Sequence, residues 1–241
     1  VHLYGNPSNM KIILGLSKKK NIKIIEDCAQ AHGTLYNKQH VGTFGDLGTF
    51  SFFPGKNLGA YGDAGGIITN NKKYAEKCLR LRNHGSINKY DHTMIGKNSR
   101  LDTIQSAILD IKLKDYKKEV LKKRNQLAQI YLEKLKNIKG LYLFQKKSYA
   151  VNSYHQFVVR TLKRDQLKKY LDDKKIQTMI HYPYMLSDLK IFKNQKGHKN
   201  LTNAKELGNK ILSLPISQDH TKKEILYIVK NIKNFFSVNK K

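Results

Sequence analysis

The chain has 241 residues with 39% hydrophobic and 10% aromatic side chains, which excludes a disordered chain, and no apolar run approaches the ~18 residues of a membrane span. Its formal net charge is +28, from 46 Lys+Arg against 18 Asp+Glu. Only six of those cations are Arg (80, 82, 100, 124, 160 and 164) and forty are Lys; Arg carries bidentate phosphate and guanine readout, so no nucleic-acid or membrane partner is expected, and the lysines, strewn among Asn and Ile, read as A/T-rich codon usage.

Asn6-Pro7 predicts a helix start with Pro in the first turn, followed by Met10, Ile13 and Leu14 at helical spacing. Ile22, Ile24 and Ile25 form a β-branched run that stops at Glu26-Asp27 and predicts a buried strand. Residues 34–45 read as a small hairpin or loop. A second strand is predicted over Thr49–Phe53, ended by Pro54-Gly55. A third is predicted over Gly66–Thr69, and a helix over 71–82. This strand–helix alternation indicates an α/β class.

Beyond residue 99 the pattern turns helical. Leu101, Ile104, Ile108 and Ile111 recur at three- and four-residue steps, and a long helix is expected over about 117–138. Strands are then predicted near 141–144 and 154–161, a helix over 165–174, and a strand over 176–181. The last helix opens on a capping box, Thr221-x-x-Glu224. The expected division is therefore 1–116, an α/β part, and 117–241, an α+β part.

Cys28 and Cys78 have neither disulfide nor metal spacing and read as free thiols in a reducing compartment. The nine His residues show no H-x-x-x-H or H-E-x-x-H, so no dedicated metal site is expected.

The chemistry concentrates in residues 22–70. Asp27 sits just past the carboxyl end of a predicted strand, where open α/β sheets bind ligands; by itself it could be a turn residue. Lys56 sits in a glycine-flanked loop after the aromatic strand, Ser51-Phe52-Phe53-Pro54-Gly55-Lys56-Asn57-Leu58-Gly59. An apolar wall there desolvates the ammonium and suits an amine nucleophile. A carboxylate at one strand end and a lysine after the next suggest pyridoxal phosphate, which needs a lysine for covalent attachment and an anionic partner for its ring nitrogen.

The same segment resembles the DegT/DnrJ-type nucleotide-sugar aminotransferases. The resemblance rests on Glu26-Asp27-Cys28-Ala29-Gln30-Ala31-His32-Gly33, Val41-Gly42-Thr43-Phe44-Gly45-Asp46, the lysine loop, and Tyr61-Gly62-Asp63-Ala64-Gly65-Gly66. It continues through Leu81–Gly85, Gly96–Ala107, His181-Tyr182-Pro183 and Ser213-Leu214-Pro215. It implies the type I pyridoxal-phosphate-transferase fold: part of the large α/β domain followed by a small α+β domain. It also implies that Lys56 is the Schiff-base lysine and proton shuttle, that Asp27 pairs with the pyridine nitrogen, and that Gln30 lies against the ring or its hydroxyl. Ser51 would bond the phosphate, and Asn98 with Arg100 would reach the phosphate of a neighbouring subunit in a homodimer. His181 and Tyr182 would border the substrate. His32, Asp46 and Asp63 are read as structural.

The implied reaction moves an amino group from L-glutamate to a nucleoside-diphosphate keto-sugar in the cytoplasm. Gly55–Gly65 looks most like members that aminate C3 of a dTDP-3-keto-6-deoxyhexose. The family pattern also implies an N-terminal third ahead of Val1, so these 241 residues alone are expected to hold the cofactor poorly. After His181-Tyr182-Pro183 the family usually brings a second Pro and His; here Tyr184-Met185-Leu186-Ser187 stands instead. Three other readings compete: a sugar dehydratase, which carries His in place of the lysine; an inactive or regulatory protein of the same fold; and a basic nucleic-acid binder.

Overall fold

The computed structural model describes residues 1–86, 88–145, 147–192 and 201–238. In chain order the elements begin with a 3-10 turn Leu3–Gly5, α1 (Met10–Lys20), β1 (Ile25–Asp27), β2 (Leu35–Tyr36) and β3 (Gln39–His40). They continue with β4 (Leu47–Ser51), β5 (Gly65–Ile68), α2 (Lys72–Leu81) and α3 (Thr103–Asp115). A π-helical turn, Tyr116–Leu121, leads into α4 (Lys122–Leu135), followed by β6 (Tyr142–Leu143), β7 (Ala150–Val151), β8 (Phe157–Arg160) and α5 (Arg164–Asp173). Two 3-10 turns, α6 (Thr202–Gly208), β9 (Ile211–Leu214) and α7 (Lys222–Val238) complete the order. The chain divides into two compact units, Val1–Lys123 with Lys147–His155, and Arg124–Lys146 with Gln156–Lys241.

The first unit is built on a mixed sheet in the order β1-β4-β5, with β1 parallel to β4 and β5 antiparallel to it. The expected strand at 22–25 is shifted: β1 starts at Ile25, which is exposed, and Glu26 is the buried residue. The first helix likewise starts later than Asn6-Pro7 predicts. Its cap is Asn9, whose side chain accepts from Ile12 N, the role for which Asn is favoured at that position.

Residues 34–45 form the expected hairpin. Asn37 and Lys38 both take positive φ (47° and 67°), as a two-residue hairpin turn with matching twist requires. The third strand of that small sheet is β7, which pairs with β2. One core packs Met10, Cys28, Ala31, Tyr36 and Val41 with Phe44, Phe50 and Tyr149. A second packs Leu58, Ala60, Leu109 and Tyr116 with Phe52 and Leu101. Gly48 in β4 passes directly against Gly42; a Cβ there would lie 2.6 Å from Gly42 Cα, so only glycine lets the two backbones cross.

In the second unit the antiparallel sheet β6-β8-β9 is apolar along its central run. Phe157, Val158 and Val159 are all buried, and so is all of β9. A strand covered on both faces shows no alternation. Tyr131 of α4 lies 4.7 Å from the Phe157 ring, and its hydroxyl donates to Pro215 O at 2.9 Å. The strand expected over 176–181 is reduced to one bridge, Met179 to Ser213.

The capping box of α7 forms as expected: Thr221 N–H donates to Glu224 Oε2 (2.7 Å) and Glu224 N–H to Thr221 Oγ1 (3.2 Å). Thr221→Ala should cost about 1 kcal/mol, read as a lower denaturation midpoint with the far-ultraviolet dichroism of the folded state unchanged.

Candidate active site

Because β1 and β4 are parallel, with Asp27 opposite Thr49, their carboxyl ends reach the same edge of the sheet. Asp27 closes β1 and Ser51 closes β4. The Asp27 carboxylate is half-buried, and its Oδ1 accepts from Ala29 N at 3.0 Å. Ser51 Oγ accepts from Phe53 N–H at 3.3 Å; its own proton has no acceptor among the described residues.

Lys56 follows in the loop that β4 feeds. Its N–H donates to Phe53 O, and Ala60 N–H donates to Phe52 O, both at 2.8 Å, so the loop closes on its own base. The far end is held by α3. Gln105 Oε1 accepts from Tyr61 N (2.7 Å), and Lys112 Nζ donates to Gly59 O (2.7 Å) while sitting 4.4 Å over the Tyr61 ring. The Lys56 side chain is half-buried, and its ammonium makes no hydrogen bond or ion pair among the described residues.

His32 lies beside this site, buried between the Phe50 and Phe52 rings, 5.6 Å from each. Neither ring nitrogen makes a hydrogen bond of normal geometry. Burial pushes its pKa down to about 4; the Ser51 main chain partly offsets this, and the nearby Lys56 charge adds to it. The imidazole is thus neutral at working pH. Gln30 is buried, with Oε1 accepting from Tyr4 N at 2.6 Å. A free amine, a half-buried carboxylate, a hydroxyl with a proton to give, and an unsatisfied buried imidazole together fit a carbonyl-bearing aromatic phosphate such as pyridoxal phosphate.

Asn98 and Arg100 lie elsewhere on the first unit and are exposed. The Asn98 backbone bridges to Asn83, and Arg100 Nη1 donates to Asn83 Oδ1 at 3.0 Å. His181 and Tyr182 belong to the second unit. There His181 Nδ1 meets Ser213 Oγ at 2.8 Å and its ring stands edge-on to Tyr182. His181 lines a cavity of about 730 Å³ with Met179, Ser213, His220 and Tyr227.

Sequence reading missed the residues that brace the site. Glu26 is the clearest. Its Oε2 accepts from His2 Nε2 (3.0 Å) and Gly42 N (2.8 Å), and its Oε1 accepts from Phe44 N and Gly45 N (2.7 Å each). His2 Nδ1 in turn accepts from Ser8 N at 3.1 Å, which fixes the tautomer with the proton on Nε2. Cys28 brings a third ligand-type atom to His2 and Glu26, but the carboxylate is already saturated with donors. The thiol pKa is pushed up to about 12, first by burial and then by the Glu26 and Asp27 charges, so it stays protonated and is a poor ligand. Among the described residues this cluster is a structural brace. Asn57 and Gln105 stand inside motifs that were legible, yet no local spacing shows what they hold.

Residues 1–233 match the model of the DegT/DnrJ/EryC1/StrS aminotransferase family. A pleiotropic regulatory protein of Geobacillus stearothermophilus is 39% identical over 240 residues, 98% of this chain and 64% of that protein. A dTDP-3-amino-3,6-dideoxy-alpha-D-galactopyranose transaminase of Aneurinibacillus thermoaerophilus is 41% identical over 235 residues, 98% of this chain and 64% of that protein. The crystal structure of S. venezuelae DesV in complex with a ketimine intermediate superposes with a TM-score of 0.94 at 35% identity, covering 98% of this chain and 63% of that one. The chain therefore spans less than two thirds of the length of the relatives it matches.

Proposed function

The chain belongs to the DegT/DnrJ/EryC1/StrS aminotransferase family, with its type I pyridoxal-phosphate-transferase fold, and from that premise we propose that it is the lysine-bearing part of a nucleotide-sugar aminotransferase. Residues 1–116 would be part of the large cofactor domain and 117–241 the C-terminal domain. The amino donor would be L-glutamate, the acceptor a dTDP-3-keto-6-deoxyhexose, and the compartment the cytoplasm; among the described residues no helix is long and apolar enough to cross a membrane. The observation that carries the reading is that Asp27 and Ser51 close the parallel strands β1 and β4 at one edge, while Lys56, whose amine has no partner among the described residues, lies in the loop that β4 feeds, near enough for its charge to act on His32.

The family is pyridoxal-phosphate-dependent, and when bound that cofactor supplies an electron sink for the bond broken at the amino-bearing carbon. Lys56 Nζ would hold it and then move the proton to and from that carbon. Asp27 would keep the ring nitrogen protonated by placing a fixed negative charge beside it. Ser51 Oγ–H would donate to the phosphate, and Gln30 would lie against the ring or its hydroxyl. Asn98 and Arg100 would reach the phosphate held by a second copy. That copy is supported by the exposed apolar side chains of Tyr61, Ile95, Ile104 and Ile111 on the first unit. His181 and Tyr182 would border the sugar.

Feeding the full-length protein L-glutamate with dTDP-3-keto and UDP-4-keto sugars tests the substrate class. Mass spectrometry should find the amino sugar from the 3-keto substrate; amination of the 4-keto sugar alone refutes the C3 assignment. A second reading, a regulatory protein of the same fold, is favoured by the name of the Geobacillus relative. Turnover in the same assay removes it. Lys56 itself stands against a dehydratase, which has His at that position.

A further inference from the structure

Segment 147–155 belongs to the first unit although the chain on both sides of it builds the second. Its last residues are tied to both halves of the candidate site. Asn57, next to Lys56, is buried and donates from Nδ2 to Ser153 O at 2.9 Å. The other end of the same carboxamide, Oδ1, accepts from His155 Nδ1 at 3.1 Å, which requires the proton on Nδ1. Ser153 Oγ donates to Gln30 O at 3.2 Å and lies 3.1 Å from Thr34 Oγ1. Ser153 N–H and Thr34 Oγ1 both reach Gly5 O. Gly5 has φ +86°, and a Cβ there would collide with Ser153 Oγ, so the hub admits no side chain at that point.

Asp27 and Gln30 arrive on the loop after β1 and Lys56 on the loop after β4, and the β1–β4 ladder, which ends at Asp27 and Thr49, does not reach residue 30 or residue 56. Ser153 and His155 tie both loops to one segment, beside the outer hold that Tyr116 Oη on His32 O and Lys112 Nζ on Gly59 O provide. All of Gln30, Thr34, Asn57, Ser153 and His155 are buried, so each bond is shielded from water and holds its geometry. We propose that Asn57, Ser153 and His155 are positioning residues that set the distance of the Lys56 amine from the Asp27–Gln30 loop, and thereby the rate at which that amine captures its carbonyl partner. The proposal rests on Lys56 being the reactive lysine.

The test uses the full-length protein stripped of cofactor, mixed with pyridoxal phosphate and quenched at intervals with borohydride. Intact-mass spectrometry then reads how fast the reduced adduct forms. Lys56→Ala should abolish the adduct; an adduct that persists refutes the reading of Lys56, whatever the hub does. His155→Leu should slow capture roughly tenfold, because displacement of a reacting group by an ångström or less costs one to two orders of magnitude. His155→Asn puts an amide donor where Nδ1 stands and should restore capture to within about threefold. If Lys56→Ala is dead while His155→Leu captures at the parental rate, or if Asn fails to rescue it, the hub is packing alone and the proposal falls. Should His155→Leu not fold, Ser153→Ala removes only the hydroxyl that reaches Gln30 and carries the same expectation and the same refutation.

Discussion

Lys56→Ala in the full-length protein should fold normally and lose aminotransferase activity by on the order of 10³-fold or more, the scale seen when a reactive nucleophile is removed. Lys56→Arg should be as inactive. Arg keeps the positive charge but holds its proton at any working pH, so it can neither attack a carbonyl nor carry a proton back and forth. The pair of variants separates an amine requirement from a charge requirement. Because the Lys56 ammonium has no partner among the described residues, its removal strands no buried charge, and the denaturation midpoint should move little. Turnover of glutamate and keto-sugar by mass spectrometry decides the matter; an Arg variant that retains a tenth of parental activity would show that Lys56 acts only through its charge.

Glu26→Ala should destabilise the first unit strongly, by about 3–5 kcal/mol, because several buried donors lose their acceptor at once. The carboxylate and its partner His2 are both buried, and the change orphans His2 Nε2–H and the N–H groups of Gly42, Phe44 and Gly45 at once. Each buried donor left unpaired carries its desolvation penalty. Glu26→Gln keeps the shape but turns an amide toward donors, and should fall between parent and Ala.

Burial alone would raise the Glu26 pKa, yet the bonds from His2, Gly42, Gly45 and Phe44 outweigh it and hold the value below the ordinary 4.5. A depressed folded value means that this stabilisation is complete above about pH 4.5 and is lost as the pH falls through the folded value. Urea midpoints of the parent should therefore drop on acidification below pH 4.5 more steeply than those of Glu26→Gln. Parallel pH profiles for the two would show that Glu26 is not the group responsible.

How much of this was legible in the sequence depended on whether the signal was local. The Thr221–Glu224 box was readable, and so was a hairpin or loop over 34–45, because each depends on residues close in the chain. The strand-end position of Asp27 followed from the β-branched run, whereas Ser51, expected inside a strand over 49–53, closes β4, which runs 47–51. Other features depended on partners far away. Glu26 read as the residue that stops a strand, whereas its function lies in the 42–45 loop. Asn57 was one letter of a motif until Ser153 and His155 gave it partners. The strand expected over 176–181 had the right composition, but a single bridge to β9 is all that pairs there. The long helix expected over 117–138 is interrupted because a π-helical turn takes up 116–121, and no composition rule marks such a turn.

The placement of residues 147–155 in the first unit also has a consequence for synthesis. A chain made from its N-terminus would have Lys56 and all of residues 1–123 available well before Ser153 and His155 exist. At about 5–20 residues per second, the roughly thirty residues beyond 123 take several seconds at the slow end. Until then the Asn57 carboxamide has no partner and the small sheet lacks its third strand. The last contacts close loops of 96 to 123 residues, the kind of non-local closure that slows folding. The lysine loop is thus translated early and secured late, and a nascent chain stalled before residue 155 would present Lys56 in a form the finished protein never shows.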